Sequence, residues 1–188
     1  MRRSLLTLLS VTALVLFSAP AVAPTVALAA GAAHSSARHC VAEAVPAGRS
    51  ARPAVTCYAT FAQSIRAATS GRVSLPATAA PGSVTPDQLN AGPASPDTTY
   101  VLSIDWAGTN FTGASLTWYE SSRCGSFQAS SMPSGWNDRV QSVAAYSNCA
   151  NTLYQNNNFG GRTYHIGENG SASSLGSMNK QTSSEKWS

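Results

Sequence analysis

One short segment occurs twice in this chain, and the repetition limits how the chain can fold. Residues 106–113 and 154–161 share an order: an aromatic residue, four residues, a phenylalanine, one residue and a glycine. On a flat strand the two rings of each copy would point to opposite faces. They can share a core only if the chain folds over between them. The Gly- and Asn-rich residues between the rings favour that fold, because both types tolerate positive φ.

Each copy is followed at a distance by a companion segment that begins with Asn and ends with Ser. The first companion is residues 137–142 and the second is residues 179–184. Two hairpin-and-companion units in tandem indicate an internal duplication. This arrangement resembles the βγ-crystallin superfamily, in which two Greek keys each carry such a hairpin and a later serine that braces it. The resemblance covers residues 100–188.

The resemblance implies specific roles for the repeated residues. In the first unit the hairpin residues and their brace are Trp106, Phe111, Gly113 and Ser142. In the second unit they are Tyr154, Phe159, Gly161 and Ser184. The glycine that closes each hairpin permits a backbone angle or a close approach that a Cβ would block.

The residues from Tyr100 onward also have the pattern of short strands. Apolar and polar residues alternate over 101–106 and 115–119, and further strands are predicted over 139–146, 152–154 and 163–166. Turn residues such as Asn169-Gly170 separate them. We therefore predict an all-β, two-Greek-key βγ-crystallin-like sandwich. Its core should be anchored by Trp106, Phe111, Tyr154, Phe159 and Trp187, and the final strand should close the fold.

The first 30 residues have the pattern of a secretory signal peptide. Arg2 and Arg3 precede an apolar run over residues 5–17, and small residues suited to cleavage follow. A membrane anchor is the alternative, but Pro20 and Pro24 interrupt a run that is already short for a span. We therefore expect a secreted, extracellular protein that is not held in a membrane.

Two further segments precede the sandwich. Residues 31–72 are rich in Ala and Arg, and Phe61, Ile65 and Ala68 predict one short helix over 60–69. This segment is either a propeptide or a small disulfide-stapled subdomain. Residues 73–99 are rich in Pro, Ala and Ser and are predicted to be a flexible linker, with a helical turn starting at Thr85.

Four cysteines in an exported chain indicate disulfide bonds. Three pairings are open. We prefer Cys40–Cys57 and Cys124–Cys149, because each pair lies within one compositional segment. A zinc site using His39 and Cys40 lacks the paired ligand spacing of such sites.

The resemblance also implies a calcium site, because this superfamily binds calcium at the companion segments. Asp138 would act with the Ser183 hydroxyl and the Gln181 carbonyl, and Asn137 and Asn179 hold the first positions of the two segments. The other crossed site would pair Lys180 with Gln141, and an ammonium there would repel a cation. We expect one calcium site, with a Kd of roughly 10⁻⁵ to 10⁻³ M. Bracing of the hairpins without an ion is the alternative.

Charge and motifs argue against several functional classes. Basic and acidic residues balance after residue 100, so the net charge of +4 is not a nucleic-acid footprint. No nucleophile-elbow, zinc-peptidase or phosphate-loop motif occurs, and His165 lies in a predicted strand. Asp105 and Glu120 are a weak match to a glycosidase pair. We therefore expect a monomeric protein that is not an enzyme.

Two non-enzymatic classes remain. The first is a stable calcium-binding module with a structural role. The second is an interaction protein, since microbial relatives of this fold include metalloproteinase inhibitors and killer-toxin-like proteins. An inhibitor would present a rigid loop to an extracellular proteinase. Residues 125–136, which follow Cys124, are the candidate loop, with Met132 as the expected cleavage point. An ordinary Greek-key crossover is the alternative for this loop.

Overall fold

Two β-sheets make up most of the structure, a computed structural model that describes residues 38–49, 51–90 and 96–188. The strands of the described chain are β1 His39–Glu43, β2 Val45–Pro46, β3 Val55–Tyr58, β4 Tyr100–Trp106, β5 Ser115–Glu120, β6 Phe127–Ala129, β7 Ser142–Ala145, β8 Asn151–Asn156, β9 Gly160–Ile166, β10 Ser171–Ala172 and β11 Ser184–Trp187. The helices are α1 Phe61–Ala68 and α2 Pro86–Asn90, and 3-10 turns span Asn157–Phe159 and Gly176–Met178.

The sheet order is that of two Greek keys. One sheet runs β10-β7-β4-β5-β1-β3 and the other runs β2-β6-β11-β8-β9. The first unit places β4, β5 and β7 in one sheet and gives β6 to the other. The second unit does the reverse, with β8, β9 and β11 in one sheet and β10 in the other. The predicted all-β crystallin-like sandwich is confirmed.

The core between the sheets is built around indole rings. The Trp118 and Trp187 rings lie 5.0 Å apart, and the Trp187 indole donates to Ser103 Oγ across the sandwich at 3.0 Å. Trp187 therefore closes the fold as predicted. Trp118 and Trp136 are also buried, although the sequence analysis did not place them in the core.

The predicted anchors differ in burial. Trp106 is 1% exposed, but Phe111, Tyr154 and Phe159 are only half-buried. Within each hairpin the two rings pack edge to face, with centroids 5.2 Å apart in the first and 5.6 Å in the second. Because each phenylalanine lies on the folded tip of its hairpin, it covers its partner ring and does not enter the core.

The described N-terminal residues, from residue 38 onward, belong to the same compact unit as the rest of the described chain. Strand β1 pairs in parallel with β5 and antiparallel with β3. Cys40 and Ala42 reach the core between the sheets. Composition predicts that residues 31–72 form a segment of their own, whereas β1 is a strand of the first sheet. Parallel pairing joins residues far apart in sequence and leaves no local pattern, so composition could not indicate it.

Helix α1 covers the outer face of the first sheet. Phe61, Ile65 and Ala68 are buried against a cluster that includes Ile104 and Trp106. Thr60 caps the helix by accepting from the Gln63 backbone N–H, and the Gln63 side chain accepts from the Thr60 N–H. The predicted short helix is confirmed.

Residues 73–90 also pack on this face. Val73, Val84 and Leu89 are buried in the same cluster, so this part of the predicted linker lies against the sheet. Thr85 caps α2 through a reciprocal pair of hydrogen bonds with Gln88. The predicted signal peptide, residues 1–30, lies outside the described residues.

Other sequence expectations can be compared directly. Both predicted disulfides, Cys40–Cys57 and Cys124–Cys149, are present. The strand predicted over 139–146 begins only at Ser142, because Asp138 takes a left-handed φ of 55° in the turn before it. Within residues 38–49, 51–90 and 96–188 there is no helix of the length and apolarity needed to cross a membrane.

Candidate functional site

Each hairpin is braced by a buried serine in the same way. Ser142 Oγ donates to the Gly108 carbonyl at 2.7 Å and accepts from the Phe111 N–H at 3.0 Å. Ser184 Oγ donates to the Asn156 carbonyl at 2.6 Å and accepts from the Phe159 N–H at 3.0 Å. This is the geometry that the superfamily resemblance implies for the two serines.

The backbone repeats this equivalence. Asn110 and Phe111 take φ values of 54° and 59°, and Asn158 and Phe159 take 56° and 64°. Gly113 and Gly161 close the hairpins at φ 81° and 77°, in the left-handed region that glycine enters without strain. The two eight-residue segments therefore have the same shape.

The companion segments meet each other across a pseudo-twofold seam. The Asp138 N–H donates to the Thr182 carbonyl at 2.9 Å, and the Lys180 N–H donates to the Val140 carbonyl at 2.8 Å. Asp138 and Lys180 have left-handed φ values of 55° and 58°. Each segment therefore fixes the conformation of the other through main-chain bonds, which do not depend on side-chain identity.

On one side of this seam the expected calcium ligands lie close together. Ser183 Oγ donates to Asp138 Oδ1 at 3.3 Å. Asp138 is exposed, whereas Ser183 is buried. A hydroxyl and a carboxylate oxygen at this spacing, one of them open to solvent, fit two adjacent ligands of Ca²⁺, which prefers oxygen donors.

The other predicted ligands near this pair already make hydrogen bonds within the protein. The Asn137 amide donates to Asp138 Oδ2 at 2.7 Å. The Gln181 side-chain oxygen accepts from Gln155 and from the Arg162 guanidinium. Asn179 turns to its own segment, where its oxygen accepts from the Leu175 N–H at 2.9 Å. Of the predicted side-chain ligands, the structure therefore brings Asn137 and Ser183 to Asp138, and Asn137 contacts it through a donor.

The opposite side of the seam does not fit a cation. The Gln141 side-chain amide donates to the Ala107 carbonyl, so a donor faces the hairpin there. The second-position residue is Lys180, which is exposed. In the part of the chain that the structure describes, no group of three or more His, Cys, Asp or Glu side chains is placed to hold a metal. A calcium site would thus contain a single carboxylate.

The loop predicted to contact a proteinase is placed differently from expectation. Residues 125–136 contain β6, which pairs with β2 and β11 inside the second sheet. Met132 and Trp136 are each 2% exposed. A peptidase could not reach the Met132 backbone in the folded protein, so Met132 is not a cleavage point. The alternative, a Greek-key crossover, describes this stretch.

An exposed loop lies immediately before β6. In residues 121–126 the side chains of Ser121, Ser122, Arg123 and Ser126 are exposed. The buried Glu120 carboxylate accepts from the Ser121 N–H at 2.7 Å and from Ser121 Oγ at 3.0 Å. These bonds hold the start of the loop, which we call the tethered loop.

The far side of the tethered loop is held by three further contacts. The disulfide joins Cys124 to Cys149, which is fully buried. The Ala47 N–H donates to the Ser126 carbonyl at 2.8 Å. Phe127 then enters β6. The loop therefore has four exposed residues and is fixed at both ends by covalent and hydrogen bonds.

A buried carboxyl pair links the two sheets elsewhere in the core. Asp105 on β4 and Glu185 on β11 are both fully buried, and one oxygen of each carboxyl group has no hydrogen-bond partner in the described part of the chain. Asp105 accepts from the Trp118 indole at 2.8 Å, and Glu185 accepts from the Asn151 amide at 3.0 Å. Burial raises the pKa of Asp105 to about 7, and burial and the facing Asp105 raise the pKa of Glu185.

This pairing differs from the glycosidase alternative, which paired Asp105 with Glu120. Because solvent cannot reach Asp105 or Glu185, neither carboxyl is accessible to a substrate. A histidine–serine pair elsewhere is also closed to solvent: His39 Nδ1 lies 2.9 Å from Ser115 Oγ, and both residues are buried. Burial lowers the pKa of His39. His165 lies exposed on β9, 3.0 Å from Thr152 Oγ1.

Comparisons with known proteins give one family match. The model of peptidase inhibitor family I36 matches residues 106–166. The matched region contains the first hairpin, the tethered loop and both cysteines of its disulfide. No curated protein matches the chain.

In fold, the chain is similar to βγ-crystallin domains. A βγ-crystallin from an archaeon is 24% identical, with 46% of this chain and 95% of that chain covered and a TM-score of 0.35. The βγ-crystallin from Ciona intestinalis is 21% identical, covering 46% and 98%, with a TM-score of 0.37. A domain from Flavobacterium johnsoniae is 22% identical, covering 46% and 93%, with a TM-score of 0.34.

Proposed function

We propose that this protein is an exported peptidase inhibitor that uses a crystallin-like sandwich as a rigid support for the tethered loop. The observation that carries the proposal is the match to peptidase inhibitor family I36, which spans the loop and both half-cystines of its disulfide. In this proposal the crystallin-like sandwich is the rigid support, and the exposed tethered loop contacts the peptidase.

The loop has the physical properties that inhibition requires. Binding in a peptidase cleft costs conformational entropy, and a loop already fixed in its bound shape loses less of it. Interfaces of protease–inhibitor complexes usually move little on binding. Glu120, the disulfide and the Ala47 contact fix residues 121–126 in this way.

Export supports an extracellular peptidase as the partner. Disulfides persist in oxidising compartments outside the cytosol, and both cystines of this chain are formed. The signal-peptide pattern of residues 1–30 points the same way. The sandwich holds the tethered loop without a second subunit, so we propose that one monomer inhibits one peptidase molecule.

The proposal is tested by measuring inhibition constants against secreted serine peptidases and metallopeptidases. The informative variant is Cys124→Ser/Cys149→Ser, which frees the tethered loop. Its matched control is Cys40→Ser/Cys57→Ser, which removes the disulfide between β1 and β3. We expect the inhibition constant of the Cys124→Ser/Cys149→Ser variant to rise at least tenfold. The peptidase should also cleave this variant within residues 121–126.

The control variant should lose thermal stability but keep inhibition at temperatures where it is folded. Circular dichroism establishes folding for both variants. If the intact protein inhibits none of the peptidases at micromolar concentration, it is not an inhibitor of these classes and the proposal fails.

A separate observation supports a second role: Ser183 Oγ lies 3.3 Å from Asp138 Oδ1. We propose that these side chains, with the Gln181 carbonyl, hold one calcium ion that stabilises the seam. At about 1 mM calcium and a Kd near 0.1 mM, binding adds on the order of 1.4 kcal/mol to the free energy of unfolding.

Melting curves in calcium and in chelator test this role. The wild type should melt at a higher temperature in calcium, and Asp138→Ala should abolish the difference. Lys180→Ala, at the equivalent position across the seam, is the control and should keep it. Equal melting temperatures for the wild type in calcium and in chelator would leave the seam braced by protein contacts alone.

A further inference from the structure

A small cavity lies beside the aromatic rings of the first hairpin. Its volume is about 160 Å³, and Trp106, Phe111, Ala144 and Tyr146 are among the residues that line it. Residues 82–86, which we call the roof segment, supply another part of its wall. A cavity of this size can hold a small organic molecule, since a dry apolar cavity of about 150 Å³ binds benzene.

The roof segment lies directly on the hairpin and the sheet. A Cβ added at Gly82 would lie 2.8 Å from Phe111 Cβ, so only glycine permits this approach. Val84 is buried, and its carbonyl accepts from the Tyr146 hydroxyl at 3.4 Å. The cavity is therefore enclosed partly by the first sheet and partly by a segment packed against it.

The second unit shows which chemical group lies over the equivalent rings. Lys186 comes two residues after the bracing serine of its unit, and its Nζ lies 4.2 Å from the centre of the Phe159 ring and 5.9 Å from that of Tyr154. The ring pairs of the two hairpins have the same edge-to-face geometry, with interplanar angles of 73° and 71°. In the first unit the position of Lys186 is taken by Ala144, which lines the cavity. The first unit therefore has the aromatic pair and a cavity beside it, but not the ammonium group.

We propose that this cavity binds a small organic ammonium ion, of the methylated amine class, against the rings of Trp106 and Phe111. The face of an aromatic ring attracts a cation, tryptophan most strongly, and clusters of aromatic side chains recognise quaternary ammonium groups. Among the described residues, no Lys or Arg lines the cavity, so no like charge repels the ligand there. The site is separate from the tethered loop and the seam, so it does not depend on peptidase inhibition.

One polar atom of the lining residues helps to choose the ligand. Trp106 Nε1 is buried and has no hydrogen-bond partner among the described residues. A buried tryptophan N–H usually has an acceptor. A ligand with an oxygen close to its ammonium group would supply one. Choline, which has a hydroxyl oxygen, is therefore the probe.

An NMR titration with choline, followed at the Trp106 indole N–H signal, tests the proposal. The comparison ligand is dimethylbutanol, in which a carbon atom replaces the quaternary nitrogen of choline. Both molecules have the same shape and the same hydroxyl group, so the comparison isolates the charge. We expect saturable binding of choline that is tighter than that of dimethylbutanol by at least about tenfold.

Two variants locate the site. Ala144→Lys places the ammonium of the second unit at the equivalent position of the first, and it should abolish choline binding. Phe111→Leu removes one ring and should weaken choline binding by at least about fivefold. Its matched control is Phe159→Leu, at the equivalent position of the second hairpin, which should leave choline binding unchanged. Circular dichroism establishes that each variant is folded.

The proposal is overturned if choline causes no saturable change in the wild-type signal. Dimethylbutanol that binds as tightly as choline would also overturn it, because the cavity would then select for shape and not for charge. Equal effects of Phe111→Leu and Phe159→Leu would place the bound choline elsewhere, with the same consequence. If Ala144→Lys does not fold, the two leucine variants still decide the location.

Discussion

The first hairpin unit, built around Trp106 and Ser142, and the second, built around Tyr154 and Ser184, differ much less in backbone than in side chains. Both hairpins have the same left-handed residues, and both serines make the same two hydrogen bonds. Longer-range bonds repeat as well. The Asn110 N–H donates to the Ser173 carbonyl, and the Asn158 N–H donates to the Ser130 carbonyl.

The side chains on this shared backbone have diverged in ways that separate the units chemically. One side of the seam has Asp138 of the first unit beside Ser183 of the second, and the opposite side has Lys180 of the second unit and Gln141 of the first. Main-chain bonds tolerate this exchange, because they depend on backbone angles more than on residue identity. The duplicated backbone therefore specifies the fold, while the side chains on the two sides of the seam differ in chemistry.

The core shows the same divergence. Asp105 precedes Trp106, and at the equivalent position before Tyr154 the chain has Leu153. Asp105 lies opposite Val143 in the first sheet, whereas Leu153 lies opposite Glu185 in the second. Each unit therefore contributes one acid to the pair near the pseudo-twofold axis. The residue at the equivalent position of the other unit is apolar in both cases.

The largest predicted effect comes from this carboxyl pair. Because the folded-state pKa of Asp105 is raised from 3.8 to about 7, its stabilising contribution is fully present below about pH 4 and is lost as pH rises through 7. The loss is about 4 kcal/mol of unfolding free energy, and the raised pKa of Glu185 extends it to higher pH. Urea unfolding between pH 4 and pH 9 measures the change.

The variant Asp105→Asn/Glu185→Gln should remove most of this pH dependence, because amides keep an acceptor for Trp118 and Asn151 but do not titrate. Glu168→Gln, which changes an exposed carboxylate, is the control and should keep the wild-type slope. A wild-type protein that is equally stable at pH 5 and pH 8 would mean that the pair does not hold a proton in the folded state.

Sequence reasoning succeeded where the relevant pattern is local. The hairpin shape follows from Gly and Asn at fixed positions, α1 follows from its Thr60 cap and apolar stripe, and the disulfides follow from segment boundaries. The resemblance to the βγ-crystallin superfamily implied a crossed pairing of Asp138 with Ser183, and these two side chains are in contact.

Prediction from sequence failed where a residue's burial or pairing depends on a partner far away in the chain. Strand β1 has only small apolar residues, and its parallel partner β5 lies far along the chain. Met132 was expected on a loop surface, but the pairing of β6 with β11 buries its surroundings. Glu185 gave no sign of facing Asp105, because no sequence pattern indicates which residues meet across two sheets.

A smaller effect tests the equivalence of the two units. Ser142→Ala and Ser184→Ala each remove a fully buried hydroxyl with one donated and one accepted hydrogen bond. Each change leaves a backbone N–H and a carbonyl of its hairpin without that partner, at an expected cost of about 2 to 3 kcal/mol. Urea unfolding at one pH should therefore give the two variants equal losses.

The double variant Ser142→Ala/Ser184→Ala decides how far the units act independently. The two hairpins share no residue, so independent braces would give additive losses. Ser122→Ala, an exposed serine of the tethered loop, is the control and should change stability by less than about 0.5 kcal/mol. Since the companion segments fix each other's turns across the seam, a double loss smaller than the sum would show that one broken brace already loosens the other unit. Unequal single losses would instead mean that one hairpin depends on its serine less than the shared geometry implies.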